Sequence, residues 1–292
     1  MSSSEINNKI ILVKKASGEI EPFSVDKLKL SLQNAGAREA TILHIISDIE
    51  NWIISGITTK KIYGRAFSLL RREKTLSSLR YRLKQAILEL GPTGYPFEVL
   101  IGELFKQKGY SVEVGVVVDG RCITHEMDVI ATKGINQQLV ECKYHKDQGT
   151  QVSVQVPLYV RSRVDDIIYH RETMSEYKGF KFEGWVVTNT RFSFDSTNYG
   201  ECAGLNLLAW DYPVGHGLKE QLEKYNLYPI TVLHNLNKEE KQKLLNMGVV
   251  TCLQLYANSN VLNDFNFAKN RFNQLMNELA DVCNYQFDPV SL

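Results

Sequence analysis

The sequence is short of cysteine pairs, of long apolar runs and of phosphate-cradling glycine loops. Its five cysteines, Cys122, Cys142, Cys202, Cys252 and Cys283, are odd in number and include no CxxC. That argues against a zinc ribbon and a disulfide framework and leaves reduced thiols in cores. No apolar stretch is long enough to cross a bilayer, so no membrane partner is expected. The opening MSSSEINNK holds no apolar h-region, so no secretory signal is expected and the reading is cytoplasmic. No Walker loop occurs, which gives no reason to expect ATP hydrolysis. There is no internal repeat and no low-complexity segment.

What is present is ordinary for a globular chain. Of 292 residues, 43% are hydrophobic and 23% charged, and the length suggests two or three domains. Net charge is +1, but unevenly distributed. Residues 1–90 hold 15 Lys/Arg against 9 Asp/Glu, while the remainder is slightly acidic. A basic N-terminal third fits either an anionic ligand or a solvated face.

Residues 10–23 read as a small hairpin turning at Ser17-Gly18. A helix follows with Ser24 as N-cap, Asp26 in its first turn and Leu28, Leu32 and Ala35 on one face, stopped by Gly36. Ile42, Ile45, Ile46, Ile49, Trp52 and Ile53 recur at helical spacing up to Gly56. Thr58-Thr59 caps a third helix with Ile62, Ala66, Leu69 and Leu70 inward, and a fourth carries Leu79, Leu83, Ala86, Ile87 and Leu90. Gly91-Pro92-Thr93-Gly94 marks a boundary. The pattern then becomes mixed: a helix over 96–108, strands over 110–118 and 121–131 around an Asp119-Gly120 turn, a strand over 138–143, a long helix over 155–171, and strands near 183–188 and 205–209 flanking a short helix. Trp210-Asp211-Tyr212-Pro213 closes this part. The rest reads as short helices with a turn at Met247-Gly248 and a final helix over 262–283.

The chemistry is concentrated in HEMDVIA and LVECKYH. Side chains on a strand alternate faces, so Glu141 and Lys143 point one way while Val140 and Cys142 point into a core. Asp128 lies on the preceding strand, where a short turn sets it beside Glu141. Two carboxylates and an ammonium then meet at one spot on a sheet edge. Carboxylates are hard ligands for Mg²⁺ or Mn²⁺, and a lysine beside such an ion stabilises charge in phosphodiester hydrolysis. Glu98, on the helix opening this part, is a further candidate ligand. Alone, a Glu-x-Lys on a strand reads as a salt bridge; the order of helix, hairpin, Asp128, Glu141-Cys142-Lys143 and helix shifts that reading. Glu126 falls on the face of Asp128 by alternation and ranks below it. His125 and His145 read as hydrogen-bonded structural histidines.

From Gly94 to about Asp211 the chain resembles the Mrr-like restriction endonucleases of the PD-(D/E)XK superfamily. PFEVLIGELFKQKGYSVEV, HEMDVIA, LVECKYH and GWVVTNTRFS carry the resemblance. It implies Glu98, Asp128, Glu141 and Lys143 as active-site residues, with Met127 standing where the family often has proline. Gln155 and Tyr159 resemble the QxxxY motif of RecB-like members, which adds Gln155 to the catalytic candidates beside its plain reading as a helix cap. Residues 9–91, with VKKASGEIEPFSVDKLKLSLQNAG, ITTKKI and RYRLKQAILEL, resemble an ATP-cone domain. That resemblance implies ATP or dATP as a regulatory ligand, Lys14 and Lys15 at phosphates, and Thr59 and Tyr63 near base or sugar. The C-terminal YPITVLHNLNKEEKQKLLNMGVVTCLQL resembles a divergent helix-hairpin-helix without a clean GxG, equally readable as a packing or dimerisation domain.

The resulting expectation is a multi-domain α/β protein. It has an α+β cone over 9–91, a restriction-endonuclease-like domain over 92–215 with a mixed sheet flanked by helices, and a helical domain over 216–292. Its expected function is metal-dependent cleavage of DNA under ATP or dATP control, in a homo-oligomer. The rivals are a nucleotide-responsive DNA-binding protein that does not cut, and a structure-specific resolvase.

Overall fold

A computed structural model describes residues 11–15, 18–72 and 76–283, and the side chains of all these except Asn34, Arg71, Arg72 and residues 76–80. Ser17 of the expected turn, the side chain of Leu79 and the outer bounds of the expected domains, residues 9–10 and 284–292, lie outside what is described. The chain divides into two compact units, Met1–Arg82 and Leu83–Leu292. The break falls inside the fourth helix, and residues beyond 215 group with the sheet. Among the described residues, no helix is long and apolar enough to cross a membrane.

In the first unit, β1 (Leu12–Lys14) and β2 (Ile20–Pro22) pair antiparallel, Val13 opposite Glu21. Then come α1 (Val25–Asn34), α2 (Glu39–Trp52) and α3 (Thr59–Arg72). Ser24 caps α1 by accepting the Lys27 N–H at 3.2 Å, and Thr58 accepts the Lys61 N–H at 3.3 Å at the start of α3. The apolar stripes read from the sequence meet in one core of Val13, Leu28, Leu32, Ile42, Ile45, Ile49, Ile62, Ala66 and Leu70. The hairpin docks on the start of α3, where the Lys14 N–H donates to the Ile57 carbonyl at 3.0 Å.

The second unit begins within α4 (Leu76–Leu88) and continues with α5 (Tyr95–Gln107). Five strands follow in the order β3-β4-β5-β7-β9. β3 (Ser111–Asp119), β4 (Thr124–Lys133) and β5 (Asn136–Lys143) are antiparallel neighbours. A short β6 (Gln151–Val152) and α6 (Gln155–Arg171) then lead to β7 (Lys181–Thr188), which runs parallel to β5. Parallel neighbours need such a crossover. β8 (Arg191–Phe192) pairs with β6, and α7 (Phe194–Cys202) leads to β9 (Asn206–Leu208), parallel to β7. One face packs Ile130, Leu139 and Val186 on Val160, Val164 and Ile167 of α6. On the other, α5 packs on β3 closely enough that a Cβ on Gly102 would lie 2.9 Å from Val114 Cγ2.

After the sheet come α8 (Leu218–Lys224), α9 (Lys238–Asn246), α10 (Cys252–Ala257) and α11 (Lys269–Cys283). Capping boxes at Asn237 and Thr251 start α9 and α10. Thr231, fully buried, donates its hydroxyl to the Ala86 carbonyl at 2.6 Å.

Two local expectations are corrected. The link between β3 and β4 is not a two-residue Asp119-Gly120 turn; Asp119 is still strand, paired with Thr124, and Gly120–Ile123 form the loop. The Asp166 carboxylate of α6 accepts the Cys122 N–H at 3.0 Å and so holds that longer loop. The expected final helix over 262–283 is split. A 3-10 segment, Ser259–Phe265, ends at Asn266, which has left-handed backbone (φ 50°), and α11 starts only at Lys269. Asn tolerates that conformation better than most residues.

Leu139 is fully buried at the centre of β5. Leu139→Ala should lower stability by about 2–5 kcal/mol, the usual result of emptying such a site, read as the midpoint of urea unfolding. A midpoint equal to that of the wild type would contradict this core.

Candidate active site

The site forms where the β4–β5 ladder stops. Pairing runs from Lys133 opposite Asn136 to Val129 opposite Val140 and goes no further. Two positions past Val140, the Cys142 N–H bonds no β4 carbonyl, and the carboxylate of Asp128, one position past Val129, takes that place at 2.6 Å. On the other side of β4 the pairing with β3 skips the same step, and Gly115, opposite Asp128 in register, has φ 64°. A side chain there would be strained, so glycine suits the interruption.

The break also changes which residues of β4 face α6. Beyond it, Ile130 packs against α6, as alternation from Asp128 requires; before it, Met127 joins the same core and His125 bonds Asp166. The expectation that Glu126 shares the face of Asp128 is therefore altered: strict alternation fails at Asp128. Even so, the Glu126 charge reaches Glu98.

Glu141 and Lys143 lie on the α6 face of β5, one position apart in the alternation. Glu141 is buried, with 4% exposure, yet fully partnered. Its Oε1 accepts from Lys143 Nζ at 2.7 Å and from the Tyr159 hydroxyl at 2.8 Å, and its Oε2 accepts from Arg163 Nη1 at 2.7 Å. Arg163 also donates to the Glu126 carbonyl. Charge-assisted bonds of this kind make a buried carboxylate tolerable. The cluster sits on interior strands, Asp128 midway along β4 and Glu141 and Lys143 at the end of β5, and not on an edge strand of the sheet as expected; β3 and β9 are the edges.

The electrostatics are those of crowded acids. Burial, then the charges of Asp128, Glu126 and Glu141, push the Glu98 carboxyl up to about 7, against the pull of Lys143. Burial and the Glu141 charge push Asp128 up to about 6, although the Cys142 amide works the other way. Burial opposes the charge on Lys143, but its bonds to Glu141 and Tyr159 outweigh this and raise its pKa. Among the described residues no three acidic, histidine or cysteine side chains are placed to hold a metal ion. Both Glu141 oxygens carry protein donors. The donor chemistry nevertheless suits a hard divalent ion: carboxylate oxygens, with more acidic charge than Lys143 and Arg163 offset.

The structure thus brings Asp128, Glu141 and Lys143 together and sets Glu98 within reach of their charges. It does not bring Gln155 to them. That residue is exposed in the first turn of α6, and its side chain makes no hydrogen bond to a described residue. Arg163 is the residue that sequence reasoning missed. Gln155, Tyr159 and Arg163 lie four apart, one stripe of a helix, and that spacing was the available signal. His125 bonds Asp166 at 2.8 Å and His145 bonds Asn189 and Thr190.

In the first unit, Lys15 pairs with Glu21 at 2.8 Å and Glu19 at 3.0 Å, while Lys14 is exposed with no ion pair to a described residue. Thr59 opens α3. Tyr63 stacks on Tyr81 with ring centroids 4.6 Å apart and donates its hydroxyl to the Tyr81 carbonyl. One face of its ring and its hydroxyl are therefore already engaged.

A mixed sheet flanked by helices, with acids and a lysine on its interior strands β4 and β5, defines the class of this protein. An uncharacterized protein of Archaeoglobus fulgidus is 32% identical over 152 residues, 52% of this chain and 81% of that protein. Residues 228–283 match the family described as AF1548-like, C-terminal. The crystal structure of AF1548, a protein of unknown function, is similar with a TM-score of 0.54 and 27% identity, over 66% of this chain and 99% of that one. The chain belongs to the AF1548-like family. A slighter likeness is to MspJI restriction endonuclease in complex with a 27-mer oligonucleotide, with a TM-score of 0.36 and 16% identity over 59% of this chain and 36% of that one.

The raised acids set a pH dependence. Glu98 and Asp128 hold protons more tightly folded than unfolded, so the native state binds more protons between their ordinary values, 4.5 and 3.8, and the raised ones, about 7 and about 6. Stability therefore falls as pH rises through that window. Glu98→Gln should flatten the fall, read as urea midpoints from pH 5 to 8. A profile parallel to that of the wild type would contradict the crowding.

Proposed function

We propose that this chain is a metal-dependent DNA endonuclease of the PD-(D/E)XK kind. The observation that carries the reading is the meeting of Asp128, Glu141 and Lys143 where the β4–β5 ladder ends. The ladder is interrupted at Asp128, midway along β4, and the acids there outnumber the cations that face them.

Asp128, Glu98 and, on release of a protein donor, Glu141 are the residues that would hold Mg²⁺ or Mn²⁺. Such an ion, when bound, neutralises phosphate charge and makes its water more acidic. Lys143 keeps its proton and offers an ammonium to a phosphate oxygen or to the attacking water. Tyr159 and Arg163 fix Glu141, and Arg163 ties it to β4 through the Glu126 carbonyl.

Plasmid incubated with the protein and Mg²⁺ or Mn²⁺ should be cut. Glu141→Ala and Lys143→Ala should each reduce cutting by about 10²-fold or more, the range seen when a group stabilising transition-state charge is removed. Variants that cut as well as wild type would discard the reading. Without reference to activity, Mg²⁺ at pH 7.5 should raise the thermal midpoint of the wild type more than that of Asp128→Asn. Equal shifts would speak against a metal at Asp128.

A second reading has an observation of its own. Glu141 is fully partnered by Lys143, Tyr159 and Arg163, as in a structural ion network. On that reading the protein holds DNA without cutting it under any metal.

The first unit is proposed to bind ATP or dATP and to regulate cutting. Lys14, exposed beside Thr58 and Thr59, supports this, and lysines hold phosphates as point charges. Calorimetry should show micromolar to millimolar binding that weakens at least several-fold in Lys14→Ala. Absence of binding, or binding with no change in cutting or oligomeric state, would end the regulatory reading.

A further inference from the structure

The loops after β5 and β7 are bonded into one piece. The Thr188 hydroxyl donates to the Lys143 carbonyl at 2.7 Å. Asn189 brackets His145, accepting its N–H at 2.8 Å and donating to its carbonyl at 2.7 Å. His145 Nδ1 and Thr190 Oγ1 are 3.1 Å apart. The Trp210 N–H donates to the Thr190 carbonyl at 3.1 Å, and the Lys219 N–H donates to the Trp210 carbonyl at 3.2 Å. Trp210 is thus fixed, through Thr190 and His145, to the strand that bears Glu141 and Lys143.

Three cations gather at that tryptophan. Lys84 Nζ stands 5.4 Å from the centre of its ring. Arg191 follows Thr190 directly, and Lys219 is bonded to Trp210 through the backbone. Their charges reach one another: burial lowers the pKa of Lys84 most, the Asp211 charge opposes it, and Arg191 and Lys219 then lower it further. None of the three has an ion pair with a described residue, whereas Lys15, Arg65, Arg161 and Arg271 do. Lys84 and Lys219 are half-buried and Arg191 is exposed, and the opposing charge on Lys84 is that of Asp211; like charges in excess repel, and an anion would relieve them.

We propose that Lys84, Arg191 and Lys219, gathered around Trp210, bind a backbone phosphodiester of a DNA strand whose neighbouring phosphate lies at the Glu141–Lys143 cluster. Contacts to phosphates position a nucleic acid without reading its sequence. The assignment rests on the reading of that cluster as facing DNA. It deepens that reading by giving the strand a path from the end of β5 across the loop after β7.

The test measures binding of a labelled DNA duplex by fluorescence anisotropy, without divalent ions so that nothing is cut, across a salt series. Replacing all three cations (K84Q/R191Q/K219Q) should weaken binding at least 10-fold. The slope of log affinity against log salt should become shallower by about one to two, since each neutralised phosphate contributes about 0.9. The exposed Arg191→Gln alone should move both readouts the same way, which covers misfolding of the triple variant. Wild-type affinity and slope in both variants would overturn the proposal, as would absence of DNA binding by the wild type. Inorganic phosphate or ATP stabilising the wild type but not the triple variant, with no DNA bound, would also overturn it and assign the cluster to a small free phosphate. Loss of binding in the variants of a protein that never cuts would leave the phosphate site standing and remove the nuclease reading alone. Cutting and binding unchanged in the variants would do the reverse.

Discussion

One hydrogen bond organises the site: the Cys142 amide donates to the Asp128 carboxylate where the ladder between β4 and β5 has ended. A strand interior cannot leave an amide unpaired without a free-energy cost. By supplying the acceptor from a side chain, Asp128 lets the two strands part while the sheet stays satisfied. Gly115 on β3 makes the same step possible from the other side, because its backbone adopts a conformation that a side chain would resist.

The rest of the second unit serves that break. α6 is needed topologically, to carry the chain from β5 to a parallel β7, and it is used chemically. Its inner stripe of Val160, Val164 and Ile167 packs on the sheet, while Tyr159 and Arg163 reach Glu141 and Asp166 steadies His125 and the β3–β4 loop. One helix thereby couples the end of β5 to the far end of the hairpin. The balance of charge is nonetheless unfinished. Two cations face four acids, Glu98, Glu126, Asp128 and Glu141, and burial first, then the charges of neighbouring acids, raise the pKa values of Glu98 and Asp128.

The loops beyond β5 and β7 carry the opposite imbalance. There, cations around Trp210 stand without an ion pair to a described residue, tied by Thr188, Asn189 and Thr190 to the strand that carries the acids. Negative charge in excess on α5, β4 and β5 and positive charge in excess on the loops after β5 and β7 are thus joined through Thr188, Asn189 and Thr190.

The sequence by itself determined the elements and the pairing of the central residues. The period of Ile42 to Trp52 produced α2, and the run from Gln155 to Arg171 is the helix that was expected, to the residue. Strand alternation set Glu141 and Lys143 on one face, and a Glu141–Lys143 bond of 2.7 Å follows from it. Local rules suffice there because they depend only on backbone repeat. Tertiary structure alone decided what lies between elements: the side-chain acceptor at Asp128, the switch of facing at Met127, the arrival of Arg163 at Glu141, and the four-residue loop held by Asp166. These arise from distances across 14 to 44 positions of chain, and no periodicity in a sequence encodes which strand stops pairing first.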